Sequence, residues 1–197
     1  MSDWKERLNK SSADFLRLVW PAVGARFGDP IPVESVSESS FAKELDARAG
    51  IDVWLIGMDG HMRGLASRVQ WTDRPYDTFT VRVRSPRGRP TEYHKRKAEI
   101  EAIVPAIRPY YFCHAYVSTD RTRLLSAAIA RMSDVIAAVD NRVGRLMPAN
   151  RDGSQGWAVP WDALRSAGSQ VVVWPAGHLV LGDDDWPPVA QPGGMVA

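Results

Sequence analysis

Residues 49–71 read AGIDVWLIGMDGHMRGLASRVQW, and this stretch decides the fold. Residues 51–58 are apolar on both faces apart from Asp52, the pattern of a strand buried in the middle of a sheet. Asp59-Gly60 supplies the positive φ values that a tight hairpin turn requires. Residues 61–71 then return as a second strand, with Leu65, Val69 and Trp71 alternating against Gly64, Ala66, Arg68 and Gln70.

Outward from the hairpin, residues 72–75 form a turn and residues 76–84 a third strand. Its Phe79, Val81 and Val83 point one way, and Thr78, Thr80, Arg82 and Arg84 the other. A basic Ser-Pro-Arg-Gly-Arg-Pro loop follows, and Thr91 caps a helix reaching about residue 104, with Glu92 in its first turn. Residues 110–117 are a fourth strand. The apolar spacing of Leu124, Leu125, Ala128, Ile129, Met132, Ile136 and Val139 predicts a helix over 122–139. Upstream, a helix over 3–19 is stopped or kinked by Pro21, residues 31–36 are β-like, and a short helix over 41–49 ends at Gly50. Short apolar runs at 157–159 and 170–174 close the chain's folded part. The expected class is α/β: a mixed sheet flanked by helices, with an α-β-β-β-α-β core and C-terminal additions. One domain over 1–181 is expected, followed by a tail, 182–197, whose composition does not support burial.

Composition narrows the class. With 45% hydrophobic and 24% charged residues the chain supports a core. No run approaches the roughly 20 apolar residues of a membrane span. The first ten residues lack the apolar stretch of a secretory leader, so a cytoplasmic location is expected. The single cysteine, Cys113, lies in an apolar run and reads as a small buried hydrophobe. The eight tryptophans follow no repeat and read as core or core-rim residues. There is no phosphate-loop or nucleophile-elbow motif, and His61, His94 and His114 have no metal-site spacing with Cys113.

Charge is uneven. Residues 61–97 hold ten Lys or Arg against Asp73, Asp77 and Glu92, although the whole chain is only +2. That asymmetry fits a surface facing a polyanion, or a solvated basic face without a ligand. On the second and third strands Arg68, Gln70, Thr78, Thr80 and Arg82 are expected to share one polar face. Asp52 has two possible registers. A strict two-residue turn sets it opposite Ser67, on the side of Leu65. One bulge, at Gly57 or Gly64, sets it beside Arg68, which the cost of burying a lone carboxylate favours. A carboxylate on a central strand is then either the partner of Arg68 or a ligand for a hard divalent ion.

The 49–71 run resembles the core hairpin of the PD-(D/E)XK nuclease superfamily, in which an Asp follows a Gly-Ile pair at a strand start and an acid-x-Lys pair follows on the next strand. The element order resembles that family's core as well. The resemblance covers about residues 30–120 and implies metal-assisted hydrolysis of DNA phosphodiesters with Mg²⁺ (or Mn²⁺). It assigns Asp52 as first metal ligand, with Glu44 from the preceding helix and Glu34 or Glu38 behind it. The second half departs from the family pattern: Ala66-Ser67-Arg68 or Arg68-Val69-Gln70 stands where the acid-x-Lys pair falls. Arg68 then supplies charge, Gln70 a neutral ligand oxygen, and Glu92 with Lys95 a migrated acid–lysine pair. Arg82, Arg84, Arg87, Arg89, His94, Arg96 and Lys97 are the expected backbone contacts. DNA is the expected partner, with RNA open. The alternatives are an inactive nucleic-acid-binding module on the same fold, and a protein-interaction subunit pairing with another protein or with itself.

Overall fold

The computed structural model describes residues 10–24, 27, 30–32, 50–57, 60–86, 88–103 and 107–175. Glu34, Glu38, Glu44 and Arg87, the expected helix at 41–49 and the tail at 182–197 lie outside them. Nine strands are described: β1 (Pro30–Pro32), β2 (Val53–Ile56), β3 (Met62–Trp71), β4 (Thr78–Arg84), β5 (Pro109–Val117), β6 (Leu124–Arg131), β7 (Arg145–Leu146), β8 (Gln155–Pro160) and β9 (Val171–Trp174). The helices are α1 (Trp20–Val23), α2 (Glu92–Glu101), α3 (Met132–Asp140) and α4 (Trp161–Ser166). No helix among the described residues is long and apolar enough to cross a membrane.

Six strands form a mixed central sheet in the order β1-β2-β3-β5-β6-β9, and β4-β8-β7 form a second sheet. The expected α/β architecture, a mixed sheet flanked by helices, is therefore present. β3 and β5 run parallel, joined by a crossover that contains β4 and α2, and the other described pairs are antiparallel. One face of the central sheet buries Leu65, Tyr111, Cys113, Ala115, Ala127 and Ile129 under Phe15, Val19 and Trp20 of the N-terminal helical segment. The opposite face buries Ala66, Phe112, Tyr116, Ala128 and Ala130 against β4, β8, α3 and α4. The alternation along β5 and β6 is thus apolar on both sides. Phe79 joins the two sheets, its ring 5.6 Å from Phe112 and 6.0 Å from Trp161.

Residues 10–14 are helical and pass into a π-helical turn at Phe15–Val19, where Trp20 N–H donates to Phe15 O. Pro21 accounts for this widening: it has no N–H to give the residue four back, so the helix takes an extra residue before it. Pro21 thus kinks the helix, which continues to Val23.

Two expectations are corrected. Residues 124–131 are strand β6, and the helix begins only at Met132. Buried on both faces between β5 and β9, β6 shows no period-two alternation, and its apolar positions match a helical spacing by coincidence. The third strand, β4, does not lie beside β3 but leaves for the second sheet. It remains close because its open edge is satisfied by side chains of the central sheet. Thr80 N–H donates to His114 Nδ1 (3.1 Å), Thr80 O accepts from Arg68 Nη1 (2.5 Å), and Thr78 O accepts from the Tyr116 hydroxyl (2.9 Å).

Candidate nucleic-acid interface

The hairpin register explains where the candidate residues go. Val53 pairs with Leu65 and Ile56 with Met62, Gly57 N–H donates to His61 O at 3.0 Å, and Gly60 has φ +75°. A glycine in the left-handed region is what a short hairpin connection favours. The register is one residue away from a two-residue turn, as a bulge would make it, yet Asp52 does not join Arg68. Its Oδ2 accepts from Ser67 N–H at 2.5 Å, and it lines a small recess with Ser12, Phe15 and Pro32 on the side of the N-terminal helix. The expectation that the shifted register sets Asp52 beside Arg68 is therefore corrected. Asp52 lies just before β2, where the side chain is free to turn along the strand edge toward an unpaired backbone N–H.

On the other side of the central sheet Arg68 and Gln70 of β3 meet Thr80 and Arg82 of β4 in a cleft of about 260 Å³. The polar face expected from sequence is thus assembled between two sheets rather than within one. Met147, Pro148 and Asn150, from the connection between β7 and β8, complete the wall with Gly156. Nothing local in a loop of that composition says which strand it folds over, so these residues are not legible in the sequence.

Pairing decides which charges are available. Arg68, one-third exposed, sends Nη2 to Glu92 Oε2 at 2.6 Å while Nη1 holds Thr80 O. Glu92 is in turn the first residue of α2, where a carboxylate also suits the helix dipole. Arg96 is buried, with Nη1 2.6 Å from Glu99 Oε2 and Nη2 3.4 Å from Gly50 O. Gly50 has φ +60°, and a Cβ there would stand 2.2 Å from Arg96 Nη2, so a larger residue would be strained in its backbone and would displace the end of Arg96. Lys97 bridges to Asp140 at 2.7 Å and Glu101 at 3.4 Å, and these partners, the Asp140 hydrogen bond first, hold its ammonium above its usual range. His94 closes a capping box with Thr91. Lys95 is half-buried on α2, where its N–H donates to Thr91 O. Arg84 is exposed and donates to Gln155 Oε1 at 3.1 Å. Arg82 and Arg89 are exposed and make no hydrogen bond or ion pair among the described residues. Of the expected backbone contacts, Arg82, Arg84 and Arg89 therefore keep their charge outward, and Arg96, Lys97 and His94 serve the fold.

Beneath the cleft His114 is fully buried, 4.6 Å from the Tyr116 ring and stacked on Phe112. Burial, reinforced by the Arg68 charge, holds its imidazole well below the ordinary 6.5. Neutral, with Nδ1 accepting from Thr80, it carries its proton on Nε2. Burial likewise raises the Tyr116 hydroxyl and pushes the Cys113 thiol far up, so neither is a nucleophile at neutral pH.

Of the Mg²⁺ ligands implied by the resemblance, Asp52 and Glu92 do not converge, and Glu44 lies outside the described residues. Asp52 and Glu92 lie on opposite faces of the central sheet, Glu92 is paired with Arg68, and no three His, Cys, Asp or Glu side chains gather into a metal-binding group among the described residues. No protein-family model, curated protein or solved structure matches the chain. The fold and the cleft define a mixed α/β protein that presents a partly neutralised cationic cleft between two sheets.

Proposed function

We propose that the protein is a nucleic-acid-binding module that holds the sugar–phosphate backbone through Arg82, which lines the Arg68–Gln70 cleft, and through the exposed Arg84 and Arg89. The observation that carries this reading is the exposure of Arg82, which lines the cleft and makes no ion pair among the described residues, with Asp152 acting on it only through space, beside a second arginine already compensated by Glu92. Such contacts supply affinity without reading sequence. Arg84, on the same strand, donates to the neutral amide of Gln155 and has no ion pair among the described residues.

The test is a salt titration of DNA and RNA binding by fluorescence anisotropy, with Mg²⁺ and with EDTA. Binding should weaken steeply with salt. Arg82→Ala should lower affinity about tenfold and reduce the salt slope by about one. No binding at low salt would remove this function. Cleavage that needs both metal and Asp52 would replace it with the metal-dependent nuclease.

A further inference from the structure

We infer that the cleft beside Arg82 seats one unpaired nucleotide, with its base among Gln70, Asn150, Met147 and Pro148 and its phosphate on Arg82, so that single strands are preferred to duplexes. The inference rests on the nucleic-acid reading above and narrows its ligand. Size is the first argument. At about 260 Å³ the cleft falls just below the ~300–1,000 Å³ typical of small-molecule sites. It has room for one base with its sugar and phosphate, and a stacked duplex could touch only its rim.

The lining chemistry is the second argument. Gln70 is exposed and its carboxamide makes no hydrogen bond among the described residues. A carboxamide offers a donor and an acceptor side by side, the complement of a base edge. Asn150 spends its Nδ2 on Ser154 Oγ at 3.0 Å, which leaves Oδ1 as an acceptor on the cleft wall. Met147 and Pro148 add apolar surface for the face of a planar ring. Arg82 lines the cleft, is exposed and makes no hydrogen bond among the described residues, which places it for the attached phosphate even with Asp152 nearby. In a duplex the Watson–Crick edges are occupied by the opposite strand, so this set of groups is useful only against an unpaired base.

The cleft is also rigid. Arg68 forms the cleft floor with both arms of its guanidinium committed, one to Thr80 O and one to Glu92. The floor is held in place before any ligand arrives, which lowers the ordering cost of binding.

The experiment measures the affinity of the full chain for labelled oligonucleotides of one sequence, single-stranded and annealed, with a nucleoside monophosphate as competitor. Single strands should bind about tenfold more tightly than duplex. Gln70→Ala should collapse that ratio toward one, and Arg82→Ala should weaken both forms. Gln70 is an exposed strand residue, and a circular dichroism spectrum matching the parent chain confirms that the variant folds. Equal affinity for both forms, unchanged by Gln70→Ala, overturns the nucleotide seat and leaves backbone binding intact. A monophosphate that binds as tightly as the strand overturns it in favour of a small nucleotide ligand. Absence of binding to every probe overturns the nucleic-acid reading itself.

Discussion

Replacing Asp14 with alanine is expected to lower the free energy of unfolding by about 3–5 kcal/mol, the usual cost of removing one partner from a buried charge cluster. Asp14 is fully buried and accepts from Arg121 Nε (2.7 Å) and Nη2 (3.0 Å), Trp71 Nε1 (2.9 Å) and Arg17 Nη2 (3.0 Å). One carboxylate thereby ties the N-terminal helical segment to the end of β3 and to the turn between β5 and β6. Arg121 holds φ +62°, a left-handed conformation costly for a residue with a Cβ, and its two bonds to Asp14 keep it there. Without the carboxylate, the guanidinium and the indole N–H lose their acceptor together.

The same site carries a pH signature. Burial pushes the Asp14 carboxyl up, but the hydrogen bonds from Arg121, Trp71 and Arg17 outweigh it and hold the group below its ordinary 3.8. The unfolded chain therefore binds the proton more readily. The stabilisation is complete above about pH 4 and is lost as pH falls toward the folded value. Urea denaturation of Asp14→Ala and Asp14→Asn between pH 7 and 3 checks both statements. A loss below about 1 kcal/mol, or an acid slope identical in the Asn variant, would show that the cluster is not what anchors the helix.

His114 gives the second large effect, in a different pH window. Because burial keeps its folded imidazole neutral well below 6.5, only the unfolded chain takes up a proton as pH drops through that value. Its contribution is full above pH 6.5 and declines below it. Between pH 7 and 5 the fold should lose about 2 kcal/mol through this group alone. His114→Phe should remove that slope. It should also cost about 1–3 kcal/mol at pH 7, because Thr80 N–H is left buried without its acceptor. An unchanged slope in the variant would assign the acid sensitivity elsewhere.

Much of the central sheet could be read from the sequence, since a two-faced apolar run, a glycine turn and an alternating return strand leave few other structures. The third strand, α2 and β5 were legible for similar local reasons. What escaped was set at long range. Leu124–Arg131 is rich in alanine and leucine, good helix formers, and only the flanking strands β5 and β9 make it β6. The availability of the basic cluster escaped in the same way. Arg68 answers to Glu92 in another element, and Lys97 to Asp140 across the α2–α3 contact, so a local count of cations overstated the free charge. Asp52 was recognised as needing a partner, but not that a backbone N–H one strand away would provide it. The cleft was legible on its β3 and β4 sides and hidden on the side supplied by residues 147–156.

The way β4 ends its sheet has one more consequence. An edge strand is a template on which another chain can add by hydrogen bonding. Here His114, Arg68 and Tyr116 occupy that template with groups that are not backbone, so no foreign strand can align on it while they remain in place. Of the three, His114 alone accepts a backbone N–H of the edge, that of Thr80, through its neutral Nδ1. Removing that acceptor, as in His114→Phe, should therefore expose the Thr80 edge, and self-association through β4 should be stronger in the variant than in the parent chain.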